Sequence, residues 1–204
     1  MGIGIVNYGM GNLRSVANAF ESLGCRTTIL SAPGELAAVD RIVLPGVGAF
    51  GDGMRNLRSG GWVAPLEEQV LQRGKPFLGL CLGMQLLASK GYEYGEWEGL
   101  GWIPGSVQRL TATDPSIRIP HIGWNTVEVV KPSGLFREAK GEQSFYFVHS
   151  YALHPKDAAV VSGYCEHGER FVACIERANI FATQFHPEKS QRCGLALLRS
   201  FLKA

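Results

Sequence analysis

Residues 75–85, Lys-Pro-Phe-Leu-Gly-Leu-Cys-Leu-Gly-Met-Gln, constrain the fold more tightly than any other stretch. An apolar run, Phe77 to Leu80, leads into one cysteine flanked by Gly79 and Gly83. Met84, Leu87 and Ala88 then recur at helical spacing. A strand that turns through G-x-C-x-G into a helix is a nucleophile elbow with sulfur in place of the serine oxygen. Side chains at Gly79 and Gly83 would collide with such a turn, so both positions are bare. The helix is expected to begin at Cys81, where free N–H groups and a partial positive charge favour a thiolate. The N–H of Leu82 is expected to point where an oxyanion forms. A lone cysteine is more often a buried structural residue, so the elbow needs partners from elsewhere in the chain.

The remainder of the chain limits where those partners lie. Its 204 residues suit one domain, taken here as residues 1–204, and 46% hydrophobic residues suffice for a packed core. A net charge of +2 gives no footprint for a nucleic-acid partner. No apolar run is long enough to span a bilayer, and the N-terminus lacks a basic leader region. Five scattered cysteines without C-x-x-C fit free thiols in a reducing cytoplasm.

From the N-terminus, Ile3, Ile5 and Val6 read as a strand, Asn12 as a helix cap, and Leu13, Val16, Ala17, Phe20 and Leu23 as one helix face. Further strands are expected at 25–30 and 41–44, and an amphipathic helix at 62–73. This alternation predicts an α/β fold: an open, mostly parallel twisted sheet with helices on both faces. After Lys90 the chain becomes β-rich, with strands expected at 127–130, 144–148, 158–164 and 171–175. They form a smaller antiparallel region with a hairpin turn at Gly168. The run 180–185 is one more apolar strand, and Ser190 is expected to cap a last helix carrying Leu195, Leu198, Phe201 and Leu202.

Gly46, Gly48 and Gly51 form a G-x-G-x-x-G directly after a strand. Dinucleotide binding also requires an acidic residue at the end of the following strand, and that strand ends at Cys81 instead. The glycines therefore serve another loop whose backbone approaches a ligand. Cys165 and His167 flank Glu166 on a hairpin, where a surface turn is the better reading than a metal site, and no metal or cofactor is expected. His121 and His154 each adjoin a proline in expected loops and need no function.

His186 and Glu188 supply the partners. In an extended segment residues i and i+2 face one side, and Pro187 disfavours helix at the residue before it. An imidazole with its orienting carboxylate at one strand end, and Cys81 at another, make a Cys-His-Glu triad, since strand ends in open α/β sheets converge.

These two motifs resemble those of the class I, or triad, glutamine amidotransferases. The resemblance extends through Asn7–Val16, Pro45–Phe50, Pro120–Asn125, Tyr146–Tyr151 and His186–Ser190 to one branch, the glutaminase subunits of imidazole glycerol phosphate synthases. Asn7 stands where that resemblance leads one to expect aspartate. It implies that Cys81, activated by His186 and Glu188, attacks the carboxamide of L-glutamine. It further implies an oxyanion site from Leu82 and the Val47–Gly48 region, and a glutamine-holding shell from Gln85, His149, Ser150 and Tyr151. Ammonia is then expected to pass to a (β/α)8 barrel cyclase subunit in histidine biosynthesis, docked through Trp124, Asn125 and Lys189. Two alternatives remain at this point: an amidotransferase subunit serving anthranilate, aminodeoxychorismate or pyridoxal phosphate synthesis, and a redox sensor using Cys81 alone.

Overall fold

A computed structural model describes residues 2–112, 114–132 and 134–204. Its N-terminal half alternates short apolar strands with helices. Strand β1 (Gly2–Val6) turns into α1 (Leu13–Glu21), whose first turn is capped by Asn12 accepting from the Ser15 N–H at 3.2 Å. β2 (Arg26–Leu30) and β3 (Arg41–Leu44) follow, then α2 (Phe50–Ser59) and α3 (Val63–Glu67). The helix expected over 62–73 is not uniform: after Glu67 it widens into a π-helical turn, Glu68–Gln72.

Strand β4 (Phe77–Leu80) leads into α4 (Leu82–Gln85), which is a single turn. The sequence pattern predicted a longer helix reaching Ala88, and tertiary hydrogen bonds explain the difference. Leu100, Ile103 and Gly101 donate their N–H groups to the carbonyls of Leu86, Leu87 and Ala88 at 2.8–3.0 Å. The chain is thereby drawn into β5 (Ala88–Gly91), with β6 (Trp97–Glu98) and β7 (Ile103–Arg109) beside it. Met84, Leu87 and Ala88 are all fully buried, which is what their apolar spacing signalled.

The second half is β8 (His121–Thr126), β9 (Glu128–Val129), β10 (Ser144–His149), β11 (Tyr151–Pro155), β12 (Val161–Glu166), β13 (Arg170–Arg177) and β14 (Ile180–Thr183), closed by α5 (Gln191–Phe201). The strand expected from 158 starts three residues later, because Asp157 caps a 3-10 turn at Ala158–Val160. His121 and His154, expected in loops, lie in β8 and β11, and Cys165 is buried rather than on a surface turn.

The main sheet runs β2-β1-β3-β4-β14-β13-β12-β9, parallel across its first five strands and antiparallel thereafter. Beside it lie an antiparallel ribbon, β8–β10, and a four-stranded sheet, β11-β7-β5-β6, parallel only between β5 and β7. Alternation along the central strands builds two cores. Ile42, Leu44 and Phe77 pack with Met54, Leu57 and Leu66 on one face; Val43, Leu78 and Leu80 pack with Val16, Phe20 and Phe201 on the other. Helices therefore cover both faces, α1 and α5 on one, α2 and α3 on the other.

The β8–β10 ribbon carries a buried pair of imidazoles. His149 Nδ1 lies 2.9 Å from the Tyr151 carbonyl, which can only accept, so that nitrogen bears the proton. Its Nε2 is then the acceptor for His121 Nδ1 at 3.1 Å, and His121 Nε2 faces the Asn125 amide nitrogen at 3.2 Å. Both rings are satisfied as neutral imidazoles, and protonating either sets two donors against each other. Burial, reinforced by the His167 ring stacked at 4.0 Å, pushes His121 down to about 4. Burial is also the first cause of the depression of His149 to about 3, its bond to the Tyr151 carbonyl opposing.

In the unfolded chain both rings titrate near 6.5, so as pH falls below that value the unfolded state binds protons that the folded state refuses. Stability from this pair is present above about pH 6.5 and declines toward pH 4. The fall in melting temperature between about pH 7 and about pH 5 should be smaller in His121→Gln than in the parent chain, by thermal unfolding followed by circular dichroism. An equal fall in both would contradict the buried neutral pair.

Candidate active site

Three neighbouring parallel strands, β3, β4 and β14, deliver their carboxyl ends to one edge of the main sheet. Each end carries one part of the predicted site. β4 ends at Cys81, whose φ of 53° and ψ of −108° place it in a conformation that non-glycine residues rarely hold. This is the strained turn of an elbow. A Cβ on Gly83 would lie 1.9 Å from the Leu44 carbonyl oxygen of β3, and a Cβ on Gly79 would lie 2.7 Å from the Gly83 carbonyl oxygen. Any larger residue at either position forces backbone apart. The helix that follows is one turn, so its N–H groups contribute locally and a summed dipole of a long helix does not arise.

β14 pairs with β4 so that Thr183 opposes Leu80, and the Cys81 N–H donates to the Thr183 carbonyl at 2.8 Å. Gln184, Phe185 and His186 therefore emerge beside the elbow. His186 is extended, but Pro187–Lys189 forms a 3-10 turn rather than the straight segment expected from the sequence. The turn still joins the pair: His186 Nδ1 is 2.8 Å from Glu188 Oε1, with both side chains under 5% exposed. Ser190 stands at the start of α5 but makes no capping bond. Its hydroxyl instead donates to the His186 carbonyl and accepts from the Tyr146 N–H at 3.0 Å. With the His186 N–H on the Tyr146 carbonyl, 3.0 Å, the histidine backbone is tied to β10.

His186 Nε2 is buried and has no partner at hydrogen-bonding geometry, although Cys81 lies close enough to act on its charge. Burial opposes an imidazolium here, but Cys81 and Glu188 outweigh it and push His186 up to about 10. The sulfur itself has two further neighbours: the Val148 carbonyl at 4.0 Å and the Gln184 amide nitrogen at 3.7 Å.

The loop after β3 completes the edge. A Cβ on Gly46 would meet the Tyr8 hydroxyl at 2.3 Å, Leu82 Cβ at 2.8 Å and Gly83 N at 3.2 Å, so this loop lies directly on the elbow. Gly48 adopts a φ of 124° and Val47 is half exposed. The Tyr8 hydroxyl is buried there without a partner; burial raises its pKa, and Cys81 adds to the rise.

Other predicted residues fall around this edge in different ways. Gln85 is buried and its amide nitrogen donates to the Tyr151 carbonyl at 2.9 Å and to Gln184 Oε1 at 3.1 Å. His149 is held as described above, and the Ser150 carbonyl accepts from the Leu110 N–H at 2.8 Å. Trp124 is half exposed and packs edge-on against Tyr146 at 6.3 Å, with Lys189 Nζ 5.9 Å over the same tyrosine ring. The Asn125 amide turns inward, to His121 and to the Glu166 carbonyl. Sequence reasoning missed Gln184 and the true task of Ser190. The available signal for Gln184 was an amide inside an otherwise apolar run.

Residues 4–204 match the family model "Glutamine amidotransferase class-I". The chain is 49% identical over 199 residues to "Imidazole glycerol phosphate synthase subunit HisH" of Moorella thermoacetica, covering 98% of this chain and 93% of the relative. It is 46% identical over 201 residues to subunit HisH 1 of Campylobacter jejuni strain RM1221, covering 98% and 99%. Among solved structures, one titled "Crystal structure of glutamine amidotransferase" superposes with a TM-score of 0.76 at 21% identity, covering 98% and 97%. "Structure of PurLQS from Thermotoga maritima" superposes with a TM-score of 0.77 at 19% identity, covering 99% and 97%. At such identities the two structures speak for the fold alone. The chain therefore belongs to the class-I glutamine amidotransferases and, within them, to the HisH subunits of imidazole glycerol phosphate synthase.

Proposed function

We propose that this chain is the glutaminase subunit of an imidazole glycerol phosphate synthase, hydrolysing L-glutamine to glutamate and ammonia for histidine biosynthesis through Cys81, His186 and Glu188. The observation that carries the assignment of residues is the buried His186–Glu188 pair, 2.8 Å apart, just beyond the end of β14, the strand paired with the one that leads into the Cys81 elbow.

The chemistry follows from the arrangement. His186 takes the Cys81 proton, and Glu188 fixes the imidazole with Nε2 toward the sulfur. The thiolate attacks the glutamine side-chain carboxamide. The resulting oxyanion is held by the N–H of Leu82 and by N–H groups of the Val47–Gly48 loop; loss of one such donor costs roughly 100- to 1,000-fold in rate. His186 protonates the departing nitrogen, releasing ammonia and leaving a γ-glutamyl thioester. Water, deprotonated by the same imidazole, then hydrolyses the thioester and frees Cys81. Gln85, His149, Ser150 and Tyr151 shape the glutamine-holding wall, Gln85 and His149 by fixing the Tyr151 carbonyl.

Ammonia then passes to a (β/α)8 barrel cyclase subunit. The surface that fits such a partner is the β8–β10 ribbon. Ile122 is 60% and Trp124 49% exposed there, an uncommon display of large apolar side chains on neighbouring positions. Tyr146 lies opposite Trp124 in the ribbon and its carbonyl binds the His186 N–H, so a partner seated here adjoins the reacting centre. Asn125 holds the ribbon through His121, and Lys189 offers a charge at its rim. There the cyclase uses the ammonia to form imidazole glycerol phosphate and an aminoimidazole carboxamide ribotide. The five free cysteines suit a reducing cytoplasm, and no helix among the described residues is long and apolar enough to cross a membrane.

Cys81→Ala should lose at least about a thousandfold of glutaminase activity, measured as glutamate release, while its melting temperature stays close to that of the parent. Retention of full activity would remove the thioester route. Lys189→Ala should retain the triad yet weaken stimulation of glutamine hydrolysis when the cyclase subunit is titrated in; unchanged coupling would refute its docking role.

A further inference from the structure

Gln184 belongs to none of the groups assigned above, yet it lies against the reacting atom. It is completely buried in the residue after β14, two places before His186. Its amide nitrogen is 3.7 Å from Cys81 Sγ, and its amide oxygen accepts from Gln85. An amide that is rotated by half a turn presents oxygen where nitrogen was, so which atom faces the sulfur must be decided by the network. Here a backbone carbonyl decides it. Tyr151 O can only accept, so Gln85 must turn its nitrogen that way, and the same nitrogen's second proton goes to Gln184 Oε1. Gln184 is then left with one orientation, N–H toward sulfur.

A thiol sulfur is a weak acceptor and a thiolate a good one, so a buried amide N–H aimed at sulfur discriminates between the two forms. The alternative partner has the opposite preference: the Val148 carbonyl, 4.0 Å from Sγ, can accept a thiol proton and can do nothing for a thiolate. We infer that Gln184 is a further catalytic residue, whose amide N–H holds the Cys81 sulfur as thiolate, and that Gln85 acts as its positioning residue by reading the Tyr151 carbonyl. This inference rests on the nucleophile role proposed for Cys81. It gives Gln85 a task behind the site, and it explains why an amide is retained in an otherwise apolar strand end.

The test is the pH dependence of Cys81 alkylation by a small haloacetamide, followed by peptide mass mapping, in the full chain and in Gln184→Met. Methionine keeps the length and removes the donor. Below the midpoint the alkylation rate should fall roughly tenfold, and the midpoint should rise by about one pH unit. The kcat for glutamine should fall while KM changes little, because the contact strengthens as charge appears on sulfur. A packing defect alone lowers the melting temperature and leaves the midpoint in place; an unmoved midpoint overturns the inference. A measurement on the unaltered chain supports it independently of any variant: the 15N-labelled side-chain amide of Gln184 should shift with the same midpoint as Cys81 alkylation, and an amide indifferent to that titration overturns it. Cys81→Ala separates the two levels. If that variant keeps glutaminase activity, the nucleophile assignment itself is wrong; if it is inactive and the Gln184 readouts do not move, only the present inference is.

Discussion

Backbone contact at the elbow governs everything else in this molecule. The first turn of α4 packs so closely on the end of β3 that Gly83 has no room for a side chain beside the Leu44 carbonyl, and the elbow folds back so tightly that Gly79 has none beside the Gly83 carbonyl. A Cβ at either position would stand 1.9 or 2.7 Å from a carbonyl oxygen, distances that no rotamer change can relieve. The chain can pass through this gap only by throwing Cys81 into a positive φ of 53°. Such a residue costs on the order of 1–3 kcal/mol, and the surrounding sheet must over-determine it. It does so with the parallel pairing on both sides of β4 and the Cys81 N–H bond to Thr183. Strain at Cys81 and rigidity of the sheet are thus one arrangement.

That arrangement also explains why so many polar groups gather in a buried region without destabilising it. Each is used. Ser190 ties the His186 backbone to β10, Glu188 holds the ring, and Gln85 and His149 share the Tyr151 carbonyl. A buried polar group without a partner typically costs 1–3 kcal/mol, so the exceptions are informative. His186 Nε2 and the Tyr8 hydroxyl are unpartnered, and both lie next to Cys81 or to the glycine loop packed on it. Glu188 Oε2 joins them, while the other unpartnered buried side-chain atoms among the described residues, on Gln69, Trp102, His154 and Ser162, belong to other elements. The neutral His121–His149 pair is the contrasting case, a closed circuit with no proton to exchange at neutral pH.

Much of this was legible in the residues. The alternation of short apolar strands with helices announces a sheet covered on both faces, and the bare positions around Cys81 announce the elbow. His186 and Glu188 were found by spacing, although for an imperfect reason, since a 3-10 turn and not an extended segment brings them together. What the residues could not reveal depends on contacts between distant segments. The helix after Cys81 stops at Gln85 because the backbone of residues 100–103 captures the carbonyls beyond it. His121 and His149 belong to expected strands or loops with no visible relation until β8 pairs with β10. Gln184 looked like an interruption in an apolar strand, and only the register of β14 against β4 sets it on the sulfur.

The central claim is that one of five cysteines is held, by that strained turn, as the nucleophile toward glutamine. The most direct measurement is reaction of the chain with an electrophilic glutamine analogue, with peptide mass mapping of all five cysteines. The account predicts a single adduct on Cys81 that forms far more slowly in His186→Ala. An adduct spread over Cys25 and Cys193, the two partly exposed thiols, or no adduct at Cys81, would contradict it.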